Sequence, residues 1–123
     1  MTTQEVANRL VELNRMGPEG YKAVYDELYS PDILSVENWG DREEYAGMDA
    51  IKAKGEKWES GLEEMHSMSC SEPLVADKSF AVTFTMDVTF NEASGMPGRM
   101  QMTELAVYRL NDEGKIIHEE FTA

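Results

Sequence analysis

From Ser79 to Phe90 the chain alternates without interruption, Phe80, Val82, Phe84, Met86, Val88 and Phe90 at even positions and Ser79, Ala81, Thr83, Thr85, Asp87 and Thr89 between them. A period of two predicts a strand with one buried face. After a break rich in Gly and Pro, the even-numbered pattern resumes in Met100, Met102, Ala106, Tyr108 and Leu110, and Glu104 interrupts it. Residues on one face of an antiparallel pair oppose residues of the same face. The expected register sets Met86 opposite Glu104 and Val82 opposite Tyr108.

Ahead of these strands the period is helical. Thr2 and Glu5 form a capping-box signature, and Val6, Leu10 and Leu13 with Ala7 and Val11 predict a helix from Thr3 to Met16. Pro18 opens a second helix carrying Tyr21, Val24, Tyr25, Leu28 and Tyr29 on one face, stopped by Ser30-Pro31-Asp32. Ile33 to Asn38 reads as a short strand and Trp39 to Gly47 as a polar loop. Met48 to Ser60 reads as a third helix, with Gly55 at a close approach to the sheet and Lys52, Lys54 and Lys57 on a solvated face. A strand from Met65 to Glu72, the turn Asn111 to Gly114 and a last strand from Lys115 to Phe121 complete the chain. Helices ahead of a mostly antiparallel meander predict an α+β fold with the sheet curled around the helices.

A length of 123 residues, 41% of them apolar, fits one domain spanning 1–123. The 11 basic and 24 acidic residues leave a formal charge of −13, which repels phosphate backbones and anionic headgroups and speaks against nucleic-acid or membrane-surface partners. The single cysteine, Cys70, allows no internal disulfide and reads as a buried, inert thiol. No cationic leader or long apolar run is present, and the expected location is cytoplasmic. Phosphate-binding glycine loops, metal-ligand spacings and nucleophile elbows are absent, so no cofactor and no metal are expected.

The candidate chemistry is carboxylate chemistry. An inward glutamate surrounded by apolar groups holds its proton and can act as a general acid or base near neutrality. Glu104 is the first candidate. Glu119, between Ile117 and Phe121, and Glu37, alternating with Ile33 and Trp39, repeat the pattern, and His66, in line with Met68 and Cys70, is the natural partner. Met86, Met100, Met102 and Tyr108 are expected to line the same enclosed cavity, with Trp39, Tyr45 and Trp58 around its mouth. The plainer alternative is that Glu104 bonds a tyrosine hydroxyl or His66 and specifies the core.

Several stretches together resemble the SnoaL-like branch of the NTF2-like superfamily, which also includes ketosteroid isomerase-like proteins. They are Leu-Tyr-Ser-Pro-Asp-Ile after the helical pair, Gly-Met-Asp-Ala-Ile-Lys-Ala-Lys, Ser-Glu-Pro-Leu-Val-Ala, Met-Gln-Met-Thr-Glu-Leu-Ala-Val-Tyr and the closing Gly-Lys-Ile-Ile-His-Glu-Glu-Phe. The resemblance covers the chain from end to end. It implies a cone-shaped α+β fold, a pocket opening at one end and a homodimer packed through the outer sheet face. The Asp–His pair of such polyketide cyclases does not carry over, since the inward acids are glutamates and Asp87 has outward parity. Three functions remain open: acid/base chemistry on an apolar carbonyl compound, binding of a small apolar molecule without chemistry, and a dimeric interaction module. Thr83, Thr85, Leu105 and Val107, uncharged on an otherwise acidic surface, mark the expected dimer face.

Overall fold

A computed structural model describes residues 1–123. Helix α1 (Thr3–Arg15) starts at the capping box, with the Glu5 amide donating to Thr2 Oγ1 at 3.1 Å and the Thr2 amide donating to Glu5 Oε1 at 2.8 Å. Gly17 turns the chain at φ 88°, and α2 (Pro18–Glu27) follows, ending before Tyr29. Gly20 lets the two helices touch, since a Cβ there would collide with the Leu13 carbonyl oxygen. Helix α3 (Met48–Ser60) crosses later, and its Gly55 meets the Tyr25 hydroxyl of α2 rather than the sheet, where a Cβ would lie 2.7 Å from that oxygen.

Seven strands form one sheet: β1 (Tyr29–Asn38), β2 (Glu43–Ala46), β3 (Leu62–Cys70), β4 (Leu74–Val75), β5 (Ser79–Phe90), β6 (Gly98–Leu110) and β7 (Ile116–Thr122). Their spatial order is β2-β1-β7-β6-β5-β3, with β4 beside the start of β5. All neighbours are antiparallel except β1 and β7. The helices pack on the inner face, burying Val6, Leu10 and Leu13 of α1, Val24 of α2 and Ile51 of α3 against Phe80, Val82, Val88 and Ala106. The α+β cone expected from the chain order is the fold observed. None of the helices is long and apolar enough to cross a membrane.

Several details depart from the expectation. Strand β1 begins at Tyr29 and passes through Pro31, and Glu43–Ala46, expected as loop, pairs with it as β2. Parity on β5 and β6 is as expected, but the register is displaced by two residues, so Phe84 faces Glu104 and Met86 faces Met102. Irregular pairing also affects β1, β3 and β7, and two of these bulges bear on the expected faces. One in β7 turns Ile116, instead of Ile117, into the core on the side of Glu119, and one in β3 between Met65 and Ser67 displaces His66.

Candidate functional site

Cross-strand pairing brings the polar residues of the inner face into adjacent rows. Tyr45, Ser35, Glu119, Tyr108 and Phe80 are successive neighbours across β2, β1, β7, β6 and β5. Glu37, Phe121, Ala106 and Val82 form the next row, and Glu104 lies beyond it beside Phe84. Over the first two rows passes Lys54 of α3. Its Nζ donates to Ser35 Oγ at 2.7 Å and to Glu37 Oε1 at 2.8 Å, and lies 3.8 Å from Glu119 Oε1. The rings of Phe121 and Tyr45 flank the ammonium, with centroids 4.8 and 5.4 Å away.

The hydrogen-bond directions in this network are fixed by its chemistry. Ser35, fully buried, has one proton and donates it to Glu119 Oε1 at 2.8 Å, so its lone pairs face Lys54. The Tyr29 hydroxyl donates to the other oxygen, Glu119 Oε2. Glu119 is 2% exposed, and its environment raises its pKa, chiefly by burial, against the opposing Lys54 charge and the hydroxyls of Tyr29 and Ser35. Enclosed in this way, Glu119 hardly reaches solvent with any of its own atoms, and its polar neighbours are Tyr29, Ser35 and Lys54.

Glu104 is differently placed. It points inward while Thr103 and Leu105 face out, and it remains partly accessible. Burial, reinforced by the Glu37 charge and opposed by Lys54 and the nearby Trp39 indole N–H, pushes its carboxyl up to about 7. A carboxyl near neutrality exists in both protonation states and can either take or return a proton. Trp39 itself is 41% exposed at the rim. Met86 and Tyr108 are buried in the wall, Met102 is half-buried and Met100 is 37% exposed. Trp58 packs edge-on against Phe90, with ring centroids 5.3 Å apart, at the far end of β5.

His66 is the correction. The β3 bulge turns it to the outer face, where Nδ1 lies 2.8 Å from Glu64 Oε2 and Nε2 lies 2.7 Å from Thr89 Oγ1. It shares no chamber with Glu104, and the six residues expected to line one enclosed cavity do not do so. Lys54 is the residue that sequence reasoning missed, for it leaves the solvated face expected for it and reaches Glu37. The signal was available: Lys54 stands three residues after Ile51 and four before Trp58, on the buried stripe of the helix. Ser35, at inward parity between Ile33 and Glu37, was equally readable. Grooves of about 610 and 270 Å³ lie away from these residues, one beside the N-terminus and the Asn111–Gly114 turn, the other between α2 and α3. No group of three or more His, Cys, Asp or Glu side chains is placed to hold a metal ion.

Comparison with known proteins bears on the whole chain. The model of the SnoaL-like domain matches residues 1–122. A candidate SnoaL-like polyketide cyclase from Mesorhizobium loti superimposes with a TM-score of 0.88 at 29% identity, with all of both chains covered. A second such protein, from Jannaschia sp. CCS1, gives a TM-score of 0.76 at 17% identity, covering 98% of this chain and 85% of that one. A protein of ketosteroid isomerase-like fold from Catenulispora acidiphila, solved in complex with trimethylamine, gives 0.70 at 13% identity, covering 99% and 87%. No curated protein matches the sequence.

Proposed function

The chain belongs to the SnoaL-like family, and from that premise we propose that it is a cofactor-independent acid/base enzyme, of the isomerase, cyclase or dehydratase type, acting on a small carbonyl compound with an apolar body. The observation that carries this reading is Glu104, a partly accessible carboxyl poised at about 7 in a wall that includes Phe84, Phe121 and Met102. Glu104 removes a proton from the carbon next to the carbonyl and returns it elsewhere on the same substrate. Trp39 at the rim stacks against the apolar body, and Glu37 sets the charge around the base.

Exchange of α-protons for solvent deuterium detects this chemistry without knowledge of the product. Incubated in D2O with a panel of apolar ketones and β-keto esters of one to three rings, the protein should catalyse deuterium incorporation in at least one member, read by proton NMR. Glu104→Gln keeps the shape and loses the proton transfer, and should slow the exchange by about two orders of magnitude or more. Panel members that bind without exchanging, equally in both proteins, would overturn the enzymatic reading in favour of a small-molecule binding module.

We further propose a two-fold dimer through the outer sheet face, where Leu105 and Val107 stand 44% and 41% exposed beside Thr83 and Ala81.

A further inference from the structure

We infer that Lys54 is the electrophile of the site, its free N–H receiving the carbonyl oxygen of the substrate while Glu104 works on the neighbouring carbon. The inference rests on the acid/base reading of Glu104 and assigns that reading a second catalytic group.

The geometry of the ammonium carries the argument. Nζ has three N–H bonds, of which Ser35 and Glu37 take two. The other carboxylate within 4.0 Å of it, Glu119, lies at 3.8 Å through Oε1, beyond hydrogen-bonding distance, and both Glu119 oxygens already accept from hydroxyls. The Lys54 side chain is 20% exposed, so it is not sealed in the core. Nor is it free to wander. Ser35 is buried with its proton committed to Glu119, Glu37 anchors the other side, and two aromatic rings flank the head group. A donor held in advance, with one bond unmade, is the arrangement that stabilises a developing oxyanion.

Charge supports the assignment. Enolate formation places negative charge on an oxygen amid Glu37, Glu104 and Glu119, and Lys54 is the cation paired with this group. In the step itself, the Glu104 carboxylate takes the α-proton and becomes a neutral acid. The C–H electron pair forms the enolate C=C bond, and the carbonyl π pair moves onto the oxygen, which accepts a hydrogen bond from Lys54. The Glu104 acid then returns the proton to carbon, and no oxidant or second substrate is consumed.

The test uses 4-nitrophenol, a planar acid whose anion mimics the enolate oxygen and is read by its absorbance. Bound to the unaltered protein, it should ionise at a lower pH than when bound to Lys54→Met, by about one unit or more, with Lys54→Arg intermediate. Deuterium exchange into the responsive ketone should fall about a hundredfold in Lys54→Met. In the unaltered protein labelled with 15N-lysine, the Lys54 Nζ resonance should shift as 4-nitrophenol saturates the site, a measurement independent of whether Lys54→Met folds. Equal ionisation of the bound phenol in both proteins, an unmoved Nζ resonance at saturation or the absence of saturable binding would each overturn the inference. Exchange that needs Glu104 but not Lys54 defeats this inference alone. A Lys54-dependent phenolate shift without ketone exchange defeats the acid/base reading and leaves Lys54 as an anion-binding group.

Discussion

Glu104 ionises against its surroundings. A carboxyl that titrates near 7 in the folded chain, against an ordinary value of 4.5, is better tolerated neutral than charged in the native state. Its contribution to stability is therefore complete below pH 4.5 and is lost as the pH rises through 7. Glu104→Gln cannot ionise, so its unfolding free energy relative to the parent should improve by about 2 kcal/mol between mildly acidic and mildly alkaline buffer, measured by urea denaturation at both. A difference independent of pH would show a solvated carboxyl. Glu119 predicts the opposite sensitivity to removal. Glu119→Leu leaves the Tyr29 and Ser35 hydroxyls without their acceptor and removes a carboxylate 3.8 Å from the Lys54 ammonium, and should cost about 3 kcal/mol, whereas Glu119→Gln, retaining one acceptor, should cost less. The inward placement of Glu104 is legible from strand alternation alone. The position of His66 is not, because one extra residue in β3 reverses the alternation and no residue in that stretch announces the bulge.

At the scale of elements, α2 meets α1 at Gly20 and α3 meets α2 at Gly55 too closely for a Cβ. At Gly20 an added methyl would meet the Leu13 backbone oxygen, which cannot move without breaking the α1–α2 turn. Gly20→Ala should destabilise the protein by about 2 kcal/mol despite alanine's better helix propensity, as judged by thermal or chemical denaturation. At Gly55 the obstacle is the Tyr25 hydroxyl, the tip of a side chain whose ring packs 5.6 Å from Tyr29, so the same substitution there should be milder. The long alternations of β5 and β6 made those strands readable, with their buried face. Their register was not, since shifting by two residues preserves every inward position and exchanges only which apolar partners meet. Strand β2 carries Glu43, Glu44 and Tyr45 in four residues, too short and polar to show a period, and is a strand because β1 offers it an edge.

On the scale of the whole molecule, a formal charge of −13 opposes self-association, so any dimer depends on a locally uncharged contact. Sedimentation should show a dimer at micromolar concentration that tightens as ionic strength rises from about 20 to about 200 mM, because salt screens the repulsion more than the apolar contact. Replacing Val107 with Glu should yield a folded monomer, and a variant that remained dimeric would move the interface off the outer face. The parallel pairing of β1 with β7 has a consequence for how such a chain comes into being. Ser35 and Glu119 stand side by side in the sheet, yet 84 positions separate them along the chain. During synthesis, the segment bearing Tyr29, Ser35, Glu37 and Lys54 emerges first and waits with its lysine unneutralised by Glu119 and one edge of β1 unpaired, while the meander grows behind it. Only the seventh strand joins the two arms. The cluster around Glu119 is therefore completed only by β7, which is made after the other six strands, a late and long-range closure that favours slow maturation.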